Sequence, residues 1–275
     1  MLRLAGAAGG SRNAALIRPP GALAEADFLA RCIKCGQCMR VCPTNVIHPA
    51  LLEAGLEGLW TPRLDFRIGT SGCQHNCIAC GQLCPTAAIR PLSLDERLGR
   101  NDFSGRGALR IGTAFVDRGR CLPWAMDTPC IVCQENCPVS PKAIFTREFF
   151  ATIRDGGALA VAKAEAGRIT LAAPVPAEWR LGTGDYVCET PDGVRLAIAS
   201  HSAQALELTG ASTGQGLPAA GERVSIQVRL QQPFVDPGRC IGCGVCEHEC
   251  PVQGLRAIRV TSENESRTPK SRLII

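Results

Sequence analysis

The sequence predicts an α+β protein, and three observations carry that prediction. Sixteen of its seventeen cysteines fall into four quartets, each closing as C-x2-C-x3-C-P. Short apolar, β-branched segments and Asp or Pro turns recur around the quartets, so that brief strands and helices alternate along the chain. Between the third and fourth quartets, a cysteine-poor stretch over about residues 151–232 breaks into alternating segments separated by Gly and Pro.

Composition narrows the possibilities before any motif is weighed. Hydrophobic residues make up 45% of the 275 and charged residues 20%, a globular balance that excludes wholesale disorder. No stretch approaches the ~18 apolar residues a membrane helix needs, so no transmembrane segment is expected. A formal charge of +5 raises the question of nucleic acid. The basic residues are scattered and the aromatic platforms few, which argues against it.

The first quartet is Cys32, Cys35, Cys38 and Cys42, and the second is Cys73, Cys77, Cys80 and Cys84. The third is Cys121, Cys130, Cys133 and Cys137, and the fourth is Cys240, Cys243, Cys246 and Cys250, with Cys188 left over. A disulfide scaffold fits poorly, because such scaffolds are typically short chains that cannot bury a core. A tetrathiolate zinc site usually combines two C-x2-C pairs, and a run of three cysteines followed by a fourth and Pro does not divide that way. The remaining reading is the [4Fe–4S] run C-x2-C-x2-C-x3-C-P, in which three thiolates wrap one cluster and the fourth reaches another. Quartets one and four match it without deviation. Quartet two has three residues between its first two cysteines and quartet three has eight, which leaves a [3Fe–4S] cluster or a vacant corner open there.

On this reading all sixteen quartet cysteines are metal ligands and the cofactors are four [4Fe–4S] clusters. The fold expected is two ferredoxin-like two-cluster domains with an inserted small β-rich domain. Residues 1–24 form a flexible lead-in without a visible export signal, and 25–150 the cluster region with quartets one to three. Residues 151–232 are the β-rich insert, 233–262 the region of quartet four, and 263–275 a polar tail. "EADFLA" (25–30) reads as a helix, and "GGALAVAKAEAG" at the start of the insert reads as a second one. "AFVDRGRC" and "PFVDPGRC" lead strands into quartets three and four. The link 89–115 reads as a hairpin with a polar tip, which favours nesting quartets two and three inside one and four over pairing one with two and three with four. Cys188 reads as a packed apolar residue, and His75 and His248 as solvent-facing or backbone-bonded.

Three segments carry a family resemblance: "IRPPGALAEADFLARCIKCGQCMRVCP", "VDRGRCLPWAMDTPCIVCQENCPVSPKAI" and "CIGCGVCEHECPV" with the following "AIRV". The chain resembles the NapG/MauM-type polyferredoxins, four-cluster electron-transfer proteins associated with membrane quinol dehydrogenases. The eight-residue gap of quartet three recurs in that family. "CQHNCIACGQLCP" and the insert depart from the NapG form. The resemblance implies a relay between a membrane quinol-dehydrogenase-like subunit and a redox acceptor or donor protein, peripheral to the membrane and on its periplasmic face. An iron–sulfur subunit of an oxidoreductase complex without a quinol module is the alternative. No catalytic side chain is expected, since no nucleotide loop or His/carboxylate motif is present.

Overall fold

The computed structural model describes residues 16–176, 178–209 and 216–267. The chain divides into two compact units. The first comprises residues 1–117, 132–145 and 233–275, and the second residues 118–131 and 146–232.

The first unit is built twice from the same parts. In the first half, the helix Glu25–Arg31 precedes quartet one and buries Phe28 completely. It is followed by the short helix Gln37–Arg40, and by the helix Ala79–Gln82 of quartet two, against which it packs. The chain before quartet one meets the chain after quartet two through an antiparallel bridge between Ala22 and Ile89. Two strands, β1 (Ile47–Pro49) and β2 (Pro62–Leu64), pair antiparallel between the quartets.

The second half repeats this plan with a full ladder in place of the bridge. Strand β3 (Thr113–Val116), entering quartet three, pairs antiparallel with β11 (Ile258–Thr261), leaving quartet four. The helix Val132–Glu135 packs against the helix Val245–Glu249. Quartet one is therefore paired with two, and three with four, in place of the nested scheme. The link 89–115 is not a hairpin. It holds the helix Leu94–Leu98 and a 3-10 turn over Asn101–Arg106. The Ser93 hydroxyl accepts from the Glu96 amide at 3.0 Å and Gly99 closes the helix in the left-handed conformation, so the polar stretch is a capped helix.

Both ends of the described chain are tied into this unit. Arg18, fully buried, donates to Glu25, to the Thr61 hydroxyl at 2.9 Å and to the Pro62 carbonyl at 2.8 Å. Arg267 donates to the same Glu25 at 2.8 Å and to Glu265 at 2.7 Å. Residues 16–24 and 263–267 are thus tied down by partly buried ion pairs and are neither a flexible lead-in nor a loose tail. The rest of both segments lies outside the described residues.

The second unit is mostly β, with the short helix Leu122–Ala125 and a 3-10 turn over Leu181–Thr183. Its strands are β4 (Ile144–Thr152), β5 (Leu159–Glu165), β6 (Arg168–Leu171), β7 (Tyr186–Glu189), β8 (Arg195–His201), β9 (Ala205–Leu208) and β10 (Arg223–Val235), with β4 and β10 running on into the first unit. The order is β4-β10-β5-β6-β9-β8-β7, and β10 also pairs with β7, which closes six of the strands into a ring. The core is apolar: Val161, Ile169, Leu181, Ile198, Leu206 and Ile226 are almost wholly buried, with Cys188 among them. The Ala-rich segment expected as a helix is β5. Ala has a strong helix propensity, but pairing on both edges with β6 and β10 overrides it.

Candidate metal centres

The quartets are positioned by backbone geometry that their sequences dictate. In quartet one, Lys34 (φ +58°) and Gly36 (φ +74°) adopt the left-handed conformation. In quartet four, Gly242 (φ +69°) and Gly244 (φ +75°) do so at the same two places. The conformation coils the run so that three thiols face inward. The choice of residue follows from the surroundings. A Cβ on Gly242 would lie 2.5 Å from the backbone of Gly112, and one on Gly244 2.0 Å from the Phe66 ring, whereas Gly36 has nothing within 4 Å. Lysine is tolerated at 34 at the modest cost of a left-handed side chain.

The thiols gather across quartets. Cys32, Cys35 and Cys38 line one cavity with Cys84 of quartet two. Cys73, Cys77 and Cys80 line another with Cys42 of quartet one. Cys240, Cys243 and Cys246 line a third with Cys137 of quartet three. In each, the last cysteine before proline has crossed to its partner quartet. Cys121 is buried at the start of the helix Leu122–Ala125, Cys133 is buried on Val132–Glu135, Cys130 is half-buried, and Cys250 is buried at the end of Val245–Glu249.

Electrostatics in these cavities disfavours most of the free thiolates. Burial, then the neighbouring Cys32, Cys35 and Cys84, pushes the Cys38 thiol up to about 12. Burial raises Cys73 to about 11 against the opposing pull of Arg97, and raises Cys243 to about 12. Cys80 and Cys246 rise for the same reasons. Cys84 goes the other way: burial opposes ionisation, but the Ile89 amide at 3.4 Å and the groups of Thr86 outweigh it. The Ala114 amide likewise donates to Cys240 Sγ at 3.3 Å. Buried thiols held together at this density are unfavourable as free anions.

The donor set fits a polynuclear iron–sulfur cluster. Among the described residues no three His, Cys, Asp or Glu side chains are grouped to hold one metal ion. Thiols that share a cavity without converging on a point suit a cube with iron at its corners, and amides aimed at sulfur suit its negative charge.

The sites adjoin one another. Cys38 contributes to the raised titration of Cys80, linking the two cavities of the first half. The Cys73 amide donates to the Cys243 carbonyl at 2.7 Å, so the two halves meet backbone to backbone at cysteines of different sites. Gly72 leaves the room for this contact, since a Cβ there would lie 2.4 Å from the Val245 nitrogen. These two histidines fall outside the donor sets: His248 Nδ1 bonds the Phe66 carbonyl at 3.0 Å, and His75 Nε2 is buried without a hydrogen-bond partner among the described residues. Sequence reasoning missed Arg97, a fully buried residue whose Nη2 lies 3.7 Å from Cys73 Sγ. Nothing in its local sequence distinguishes it from a surface arginine.

Fold and site together resemble those of ferredoxin-type iron–sulfur proteins. The model of the 4Fe-4S binding domain matches residues 29–48 and 233–256. The chain is similar to the methylamine utilization ferredoxin-type protein MauM of Methylophilus methylotrophus, 32% identical over 141 residues, 50% of this chain and 56% of the relative. It is similar to the ferredoxin-type protein NapG of Escherichia coli K12, 34% identical over 142 residues, 51% of this chain and 55% of the relative. MauM of Methylobacillus flagellatus is 35% identical over 133 residues, 48% and 51% of the two chains. The chain spans about half the length of the curated relatives it matches. No solved structure matches it. Among the described residues no helix is long and apolar enough to cross a membrane.

Proposed function

We propose that this chain holds four [4Fe–4S] clusters and relays single electrons between a membrane quinol module and a redox partner on the periplasmic face. The observation that carries the relay is the 2.7 Å bond from the Cys73 amide to the Cys243 carbonyl. It joins two donor sets without an intervening side chain, so cofactors held there communicate through a short, dry, fixed path.

The ligand sets follow the crossing pattern. Cys32, Cys35, Cys38 and Cys84 hold one cluster, Cys42, Cys73, Cys77 and Cys80 a second, and Cys137, Cys240, Cys243 and Cys246 another. By the repeat in the sequence, Cys250 completes the set begun by Cys121, Cys130 and Cys133. When bound, each cluster supplies one reversible electron of capacity. The protein fixes the spacing, excludes water at the buried cysteines and tunes each potential through amide donors to sulfur. No residue is asked to move a proton. The fold and domain plan is then two ferredoxin-like domains over 25–150 and 233–262, with the β-rich segment 151–232 inserted between quartets three and four.

Anaerobic reconstitution tests the cluster count. About sixteen irons per chain, four for each cubane, are expected, and a count near twelve or below overturns the four-cluster reading. The quinol connection is tested with membrane vesicles supplied with quinol, by following the bleaching of the iron–sulfur absorbance. Bleaching only by a soluble donor would favour an oxidoreductase subunit without a quinol module.

A further inference from the structure

Arg97 is a fully buried arginine of the first unit that the relay does not use. It is 0% exposed on the helix Leu94–Leu98. Its Nη1 donates to the Leu109 carbonyl at 2.9 Å and its Nη2 reaches Cys73 Sγ at 3.7 Å, while Nε has no hydrogen-bond partner among the described residues. The carboxylates of its own helix are engaged elsewhere: Glu96 pairs with Arg90, and Asp95 accepts from Asn101 at 2.9 Å. No ion pair among the described residues includes Arg97.

A guanidinium does not shed its proton to escape burial, and a lone buried charge costs several kcal/mol. Its countercharge must therefore lie on the sulfur side. The other arginines near the donor sets differ: Arg18 is neutralised by Glu25, and Arg110 is partly exposed and donates to the Gly238 carbonyl.

On the reading of Cys42, Cys73, Cys77 and Cys80 as a cluster site, we propose that Arg97 is its built-in countercharge and raises its reduction potential, making it the electron sink where the two halves meet. One electron leaves the site of Cys32, Cys35, Cys38 and Cys84, which is oxidised by one unit. It arrives at the Cys73 site, which is reduced by one unit, and the added negative charge settles beside the guanidinium. No bond or proton changes place. Arg97 is a positioning residue in this scheme, acting through Cys73 and the local field.

The test is an EPR-monitored redox titration of the anaerobically reconstituted full chain. In Arg97→Gln one couple falls by at least tenfold in its one-electron equilibrium constant, about 59 mV, and the others stay. Arg97→Lys keeps the charge but loses the fork to Cys73 and Leu109, and recovers part of that fall. Arg90→Gln, which removes a partly exposed, carboxylate-paired cation, moves no couple. Full iron content with every couple unmoved in Arg97→Gln overturns the proposal. If Arg97→Gln loses iron, Arg97→Lys decides. An intermediate fall in one couple upholds the countercharge, and unmoved couples or loss of the same cluster overturn it in favour of a structural part. A wild-type iron count short of four clusters would instead count against the cluster reading itself.

Discussion

Gly244 lies against the ring of Phe66 so closely that a Cβ would stand 2.0 Å from its Cδ1. Phe66 belongs to the segment between quartets one and two, Gly244 to quartet four, so the two ferredoxin-like halves interlock where a side chain is missing. Gly244 is also left-handed, at φ +75°. Gly244→Ala meets both obstacles and is expected to cost about 3 kcal/mol or more, combining overpacking with backbone strain. Gly36→Ala, with open space and only the strain, is expected to cost about 1 kcal/mol. Thermal melts of the reconstituted variants check the order, and equal losses would refute the interlock.

Cys84 sits in quartet two but lines the cavity of quartet one. Cys84→Ala is therefore expected to disturb the cluster of Cys32, Cys35 and Cys38 and to spare that of Cys73, Cys77 and Cys80. Cys42→Ala does the reverse. EPR of each variant, compared with the additive effect of Cys35→Ala or Cys77→Ala, separates the assignments. If Cys84→Ala and Cys77→Ala remove the same signal, the crossing pattern is wrong.

Glu25 bridges two arginines, Arg18 and Arg267, in a partly buried triad. Burial opposes its ionisation, but the two guanidinium groups together hold its carboxyl below the usual 4.5. The folded value is thus the depressed one. Its contribution is complete above about pH 4.5 and is lost as the pH falls through the folded value. Glu25→Gln leaves a buried arginine short of its anion and is expected to cost about 3 kcal/mol at pH 7. The deficit against the native chain should shrink as the pH is lowered below 4.5. Melting temperatures across that range check the sign, and a deficit that grew with acidity would contradict it.

Removal of iron separates the two units. The cysteine-lined halves owe much of their interior to donor thiols that repel one another without metal, so they are expected to unfold on chelation. The β ring has its own apolar core and is expected to keep a cooperative melt. Cys188, 0% exposed and pushed up to about 12 by burial, reports on it. In chelated protein sixteen of the seventeen thiols should react rapidly with a thiol reagent and the last only after the ring melts. Seventeen fast thiols would show that the ring depends on the clusters.

How much of this was legible in the sequence depends on the range over which each feature is encoded. The donors are local patterns, and the structure gathers Cys32, Cys35 and Cys38, then Cys240, Cys243 and Cys246, as the spacing requires. The helix over Glu25–Arg31, the strands entering quartets three and four, and the packing of Cys188 are equally local. Which quartets pair is not local. It is decided by ladders between Thr113–Val116 and Ile258–Thr261, over 140 residues apart, and the polar link 89–115 pointed to the wrong partner. The corrective signal is Ser93-x-x-Glu96, a helix-start pattern inside the polar stretch that resembles a hairpin tip. The strand Leu159–Glu165 was hidden by alanine, whose helix preference yields to pairing on two edges. Arg97 and Arg18 were illegible because burial of an arginine is settled by groups outside its local pattern, here a thiol, two carbonyls, a hydroxyl and a carboxylate.

Lys34 has a left-handed conformation that in quartet four is reserved for glycine, and it stands in the run where Cys35 is exposed and Ile33 is 63% exposed. Cys240, Cys243 and Cys246 are all buried. Openness of this kind admits dioxygen as readily as a partner's electron. Exposure to air then becomes a clock: the centre at Cys35 decays first, those behind Cys73 and Cys246 later, and the sequence of bleaching reads out the depth at which each is kept.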